Sequence, residues 1–198
     1  MNRLTFFKTL ATMVTCLALA LPASAYDFAK DGIYYLINGT NANVTYKDTN
    51  YNSYSGTVII PSTVTNNGTT YNVAQINPYA FKDCAGLKRV VLPPTIKYLM
   101  NNAFQNCTGL TNITLSADFI GCYNYVFDGC TNLKSIICLS PTPYSWNTNN
   151  FQESVLSRAK LIVPQGKKGC LSIGGRLFVN VYQHRGNGLR LCRECHFL

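Results

Sequence analysis

The residues best equipped for chemistry stand near the end of the chain. Cys192-Arg193-Glu194-Cys195-His196 is a C-x-x-C-H sequence, preceded by His184. In a c-type haem two such thiols bond the vinyl groups and the histidine ligates iron. His184 would then be the second axial ligand. Cys192, Cys195, His196 and His184 also offer the donor types of a zinc site. The surroundings favour neither. The motif ends two residues before Leu198, and the residues preceding it lack the apolar helical periodicity needed to enclose a macrocycle. We therefore expect no cofactor and no metal, and thiols without an assigned role.

The rest of the chain is poor in catalytic groups. Both histidines fall in the last 30 residues. Asp83 and Asp128 sit in turn-type stretches, where a carboxylate accepts backbone N–H bonds, and Asp118 stands apart from them. There is no G-x-G-x-x-G, P-loop, H-E-x-x-H or serine nucleophile elbow. Catalysis needs a positioned base, nucleophile or metal, so an enzyme is not expected. The net charge is +9, but residues 26–168 hold eleven Lys/Arg against seven Asp/Glu with no dense basic run. Nucleic-acid binding begins with a basic footprint and is not expected either.

What does recur is a scaffold. Ala80-Phe81-Lys82-Asp83-Cys84-Ala85-Gly86-Leu87 is followed by Ala103-Phe104-Gln105-Asn106-Cys107-Thr108-Gly109-Leu110, then by Val126-Phe127-Asp128-Gly129-Cys130-Thr131-Asn132-Leu133. Three columns of a 23-residue period result: Phe81, Phe104 and Phe127; Cys84, Cys107 and Cys130; Leu87, Leu110 and Leu133. The register extends through Val90, Ile113 and Ile136, through Leu92, Leu115 and Cys138, and backwards through Val73, Ile96 and Phe119 and through Ile76, Leu99 and Cys122. A fixed period of this length marks a solenoid, in which one unit cannot bury its apolar face but stacked units can. The Leu87-x-x-Val90-x-Leu92 stretch reads as a strand, the Ala80–Cys84 stretch as one helical or 3₁₀ turn, and Pro93-Pro94 as a break. The Cys columns should lie in the core as small apolar groups. Stacked pairs at a spacing of ~4.8 Å are near enough to bridge; we expect free, buried thiols.

The pattern Ala-Phe-x-x-Cys-x-x-Leu-x-x-(Val/Ile)-x-Leu-Pro, followed by Ile96-x-x-Leu99 before Asn102-Ala103-Phe104, resembles the BspA-like leucine-rich repeat (LRR) of bacterial surface proteins. The resemblance spans roughly residues 26–168. It implies an α+β repeat solenoid, mostly β: a right-handed stack of ~23-residue units with an N-terminal β-hairpin cap. It also implies an extracellular address and protein binding or adhesion.

The flanks read accordingly. Met1–Ala25 has a basic start (Arg3, Lys8), an apolar run from Leu10 to Leu21 and Ala23-Ser24-Ala25. We expect a signal peptide cleaved after Ala25, and no membrane span in the mature chain. Residues 26–56 form the cap, with strands at Ile33–Ile37 and Ala42–Tyr46 about an Asn38-Gly39 turn. Residues 57–139 hold the repeats. Val58–Val64 matches Val90–Ile96 at an offset of 32, so nine extra residues near Thr65–Tyr71 should form a hairpin around Asn66-Asn67-Gly68. Residues 140–168 are the C-terminal cap, with a helical turn in Phe151–Ala159 and a strand at Lys160–Pro164.

Residues 169–198 depart from the family pattern. Lys168 to Leu177 can be encoded so that reading one base later gives Lys-Ala-Ala-Tyr-Gln-Ser-Ala-Asp-Gly, which is what the family's cap helix looks like. The tail is therefore expected to be frameshifted sequence and disordered. The functional expectation is an exported interaction module binding an extracellular or surface protein; the alternatives are a structural spacer of the cell envelope and a glycan-binding module. Aromatic residues are favoured interface anchors, and Tyr46, Tyr51, Tyr54, Tyr144 and Trp146 are the surface candidates.

Overall fold

The computed structural model of the chain describes residues 24–140, 155, 159–164, 181–185 and 188–191. The signal-peptide stretch up to Ala23, Tyr144, Trp146 and the C-x-x-C-H motif lie outside them, as does most of the Phe151–Ala159 segment. The described residues form strands β1 (Phe28–Lys30), β2 (Ile33–Asn38), β3 (Asn41–Thr45), β4 (Gly56–Ile59), β5 (Thr63–Asn66), β6 (Thr69–Asn72) and β7 (Gln75–Ile76). These are followed by β8 (Leu87–Val91), β9 (Tyr98–Leu99), β10 (Asn112–Leu115), β11 (Gly121–Cys122) and β12 (Ser135–Cys138). The last are β13 (Lys160–Pro164), β14 (Val181–Arg185) and β15 (Gly188–Leu191). Among the described residues helical backbone is confined to Val155, and no helix is long and apolar enough to cross a membrane.

Each repeat supplies two strands and a turn, and each piece pairs with its counterpart in the next repeat. The Leu87, Leu110 and Leu133 stretches lead into β8, β10 and β12, which join one seven-stranded sheet in the order β15-β14-β13-β12-β10-β8-β4, parallel except at β15. Ile113 pairs with Ile136 and Leu115 with Cys138, whereas β8 and β10 share a single paired position, Arg89 with Asn112. The Ile76, Leu99 and Cys122 column lies on β7, β9 and β11, parallel members of the second sheet in register at Ile76–Leu99–Cys122. Burial alternates as a half-covered strand requires. In β10, Ile113 and Leu115 are buried and Asn112 and Thr114 exposed.

Between the two sheets the chain makes consecutive i→i+3 turns. The amides of Ala80, Lys82 and Cys84 donate to the carbonyls of Asn77, Tyr79 and Phe81. The sequence pattern had left a helix open here; a helix is prevented because alternate amides turn toward the neighbouring rung. Phe81 N–H donates to Ala103 O and Asp83 N–H to Gln105 O, and one repeat on, Phe104 donates to Val126 and Asn106 to Asp128. This zigzag needs left-handed backbone at two positions per rung. Tyr79, Asn102 and Tyr125 hold φ of 61°, 57° and 58°; Asp83, Asn106 and Gly129 hold 58°, 58° and 69°.

The core is a set of stacked columns. The Phe81 and Phe104 rings lie 4.8 Å apart at 3°, and Phe104 and Phe127 lie 5.7 Å apart at 13°. All three are fully buried, as are Cys84, Cys107, Cys130, Leu87, Leu110 and Leu133 to within a few per cent. Each buried ring or leucine contributes about 1.5–3 kcal/mol of transfer free energy. Cys84, Cys107 and Cys130 are free thiols. They are more than apolar filler: Cys107 Sγ donates to Phe81 O at 2.9 Å and Cys130 Sγ to Phe104 O at 3.0 Å, tying each rung to the one before.

The N-terminal strands β1, β2 and β3 are antiparallel, and β3 passes the sheet on to the parallel ladder at Val44–Ile76. The extra residues after Val58–Val64 form the antiparallel hairpin β5–β6. Asn67 and Gly68 take φ of 47° and 80°, the double left-handed geometry of a tight hairpin turn.

Within the tail, Val181–Arg185 form β14, parallel to β13 from Leu161–Val181 to Pro164–His184, and β15 returns antiparallel to it. Val181-Tyr182 has strand propensity, and these two strands extend the sheet beyond β13.

Candidate interaction surface

Of the five aromatic surface candidates, two meet on one patch. The Tyr46 and Tyr51 rings lie 4.9 Å apart at 63°, and Tyr51 lies 5.6 Å from Tyr79. Lys82 Nζ sits 4.7 Å from the Tyr51 ring centroid and 5.4 Å from that of Tyr79. All four side chains are half-buried. An ammonium over two aromatic faces is a cation–π arrangement, which fixes both rings and leaves their edges at solvent.

The loop before β4 is held in this shape by its own polar groups. Asn50 N–H donates to Asp48 Oδ1, Lys47 N–H to Ser53 Oγ, and Ser53 Oγ–H to Tyr51 O. Asn52 N–H then donates to Lys82 O at 3.0 Å, joining the loop to the first full repeat. Tyr51 and Asn52 reach left-handed φ of 55° and 34° to make that contact.

Tyr54 does not join the patch; it is a core residue, 4% exposed. Its ring stacks on Phe81 at 4.5 Å, so it heads the Phe81–Phe104–Phe127 column as an additional aromatic rung. Its hydroxyl donates to Thr45 O and accepts from Tyr34 N–H, and its own amide donates to Cys84 Sγ at 3.4 Å. Burial pushes its phenol well above the ordinary range, against the opposing effect of the Tyr34 N–H bond. Tyr144 and Trp146 lie outside the described residues.

The patch residues missed from sequence are Tyr79 and Lys82. Each flanks the core pair Ala80-Phe81, and nothing in residue type marks which neighbours of a buried pair point at the preceding loop. The left-handed backbone at Tyr79 turns its ring toward Tyr51.

Asp83 and Asp128 each accept a side-chain amide from a neighbouring rung. Asp83 Oδ1 accepts from Asn106 Nδ2 at 2.8 Å and Asp128 Oδ2 from Gln105 Nε2 at 3.2 Å, each across one rung. Asp128 Oδ1 is buried with no hydrogen-bond partner among the described residues. Among those residues no three His, Cys, Asp or Glu side chains gather as metal ligands. Asp118 lines a groove of about 410 Å³ with Asn41, Asn72, Ala74, Pro94, Thr95 and Lys97. The extra hairpin β5–β6 supplies its Asn72 wall.

Comparison with known proteins bears on what such a surface does. The model of the BspA type leucine rich repeat region matches six copies over residues 47–183. No curated protein matches the chain. Among solved structures, the chain is similar to a leucine-rich repeat protein from Bacteroides capillosus ATCC 29799, with 21% identity and TM-score 0.43, over 56% of this chain and 96% of that one. It is also similar to a leucine-rich repeat protein from Bacteroides ovatus ATCC 8483, with 16% identity and TM-score 0.38, over 80% of this chain and 67% of that one. A third is a leucine rich cell surface protein from Faecalibacterium prausnitzii A2-165, with 15% identity and TM-score 0.37, over 69% of this chain and 54% of that one.

Proposed function

The chain belongs to the BspA-type leucine-rich repeat family, and we propose that it is an exported module that binds an extracellular or surface protein at the bacterial cell surface. The observation that carries this reading is the Tyr46–Tyr51–Tyr79–Lys82 patch. Rigid aromatic rings with exposed edges are what interfaces use as anchors, and the cation held among them adds an acidic preference in the partner. The basic start, apolar run and Ala23-Ser24-Ala25 of the first residues support export and cleavage before Tyr26. In this reading the stack is right-handed with ~23-residue units, β1–β3 cap its first open face, and residues 140–168 close its other end. No catalytic role, cofactor or nucleic acid enters.

The test sets the secreted chain against immobilised extracellular-matrix protein extract and, in parallel, a glycan array. We expect retention on matrix protein that falls at least tenfold in Tyr51→Ala/Tyr79→Ala while the melting temperature holds. Equal retention by that variant would refute the patch as the binding site. A second reading, glycan binding, draws on the groove where Asn41, Asn72, Thr95, Lys97 and Asp118 offer polar groups. It is favoured if the array is positive and Asn72→Ala abolishes the signal. Silence on both supports leaves the spacer function.

A further inference from the structure

The edge of the seven-stranded sheet at β4 is open. Gly56 and Ile60 N–H donate to Gly86 and Val91 carbonyls on the β8 side. Because successive residues of a strand point their amides to opposite sides, the N–H and C=O of Thr57 and Ile59 face away from β8. Among the described residues no strand pairs with that edge. A groove of about 300 Å³ runs along it, between β4 and the β1–β2 turn at Asp31-Gly32.

Sheet edges are ordinarily protected by charge, brevity or proline. Three of the other edges follow that rule: β1 carries Lys30, β15 carries Arg190 and β11 has two residues, whereas β5, the outer strand of the side hairpin, is uncharged like β4. β4 reads Gly-Thr-Val-Ile with no charge. It also presents Ile59, 68% exposed, where no other large apolar side chain among the described residues exceeds 48%.

We propose that β4 pairs antiparallel with β4 of a second copy of this chain, about a two-fold axis at Val58. The strand is self-complementary in that register. Thr57 meets Ile59 of the second copy twice, and each pair exchanges two backbone hydrogen bonds, so all outward groups are satisfied. The exposed β-branched Thr57 and Ile59 lie side by side across the junction, a favourable cross-strand pair. No like charges oppose one another along β4. An isologous contact of this kind closes at two copies.

The test is sedimentation equilibrium of the secreted full chain, with hydrogen exchange read at Thr57 and Ile59. A concentration-dependent dimer is expected, with both amides becoming protected as dimer forms. Ile59→Lys should raise the dimer dissociation constant at least tenfold, and Ile59→Pro, which removes an outward amide that β8 does not use, should do the same. Their melting temperatures at monomer concentrations should match the parent. A chain that stays monomeric throughout overturns the proposal. So do species beyond the dimer, which would mean head-to-tail pairing of β4 with β15, and a dimer that survives both variants.

Discussion

Gly129 should be irreplaceable by alanine, for two separable reasons. Its φ is +69°, and a Cβ there would fall 2.1 Å from Asn106 Oδ1 and 3.1 Å from Asn106 Cγ. Left-handed backbone costs a β-carbon residue about 1–2 kcal/mol. Displacing the Asn106 side chain also breaks its 2.8 Å bond to Asp83, worth about 1 kcal/mol. Gly129→Ala should therefore lose about 2–3 kcal/mol, or roughly 4–12 °C in a chain of this size. Gly129→Asn isolates the steric part, because Asn106 itself holds φ 58°; about half the loss should remain. Removing the obstacle with Asn106→Ala in the Gly129→Ala background should make the pair less than additive by about 1 kcal/mol. Urea unfolding followed by far-UV circular dichroism reads all four corners of the cycle. A Gly129→Ala loss within about 0.5 kcal/mol of zero, or strict additivity, would refute the reasoning.

At Gly109 a Cβ would meet Ala85 O at 2.3 Å and Leu87 O at 2.7 Å, both backbone. Gly109→Ala should therefore destabilise by about 4 kcal/mol or more in the same assay, with no single side-chain change restoring it. Phe104→Ala, which empties the middle of the ring column, should lose about 3–5 kcal/mol. Burial pushes the Cys84 thiol from about 9 up to about 11 and raises Cys107 and Cys122 as well. Native chain should then react with Ellman's reagent at Cys84 and Cys107, both buried, only on unfolding. The unfolded chain sheds its thiol protons first, so the Cys84 contribution is full below pH 9 and is lost as pH rises to 11; pH-dependent melting reads it. The intact mass of the secreted protein should match a chain starting at Tyr26 with no haem added; a mass including residues 1–25 would contradict the export reading.

The repeat core was legible because its columns are in phase: Phe81, Phe104 and Phe127 declare by spacing alone that they stack. The hairpin β5–β6 was legible for a similar reason, since Asn67-Gly68 permits few other conformations. Tyr54 was not. It stands 27 residues before Phe81, off the period, so its place at the head of the ring column depends on how the irregular 46–55 loop closes. The Tyr79–Lys82 half of the surface patch was hidden because it follows from left-handed backbone that Tyr does not advertise. The tail strands were obscured by their setting among Cys, His and Gly, where Val181-Tyr182 is a short strand signal set against the surrounding composition.

The pairing of β8 with β10 sets how the molecule should respond to tension. A pull along the stacking axis loads the junctions between rungs in series, while the bonds within each junction share the load. The Phe81–Phe104 and Phe104–Phe127 junctions have matching turn bonds and matching two-residue pairings on the second sheet. They differ in the first sheet, where four residue pairs join β10 to β12 and one joins β8 to β10. Of these two junctions the one between Phe81 and Phe104 is therefore the weaker, and under axial tension it should part before its neighbour between Phe104 and Phe127.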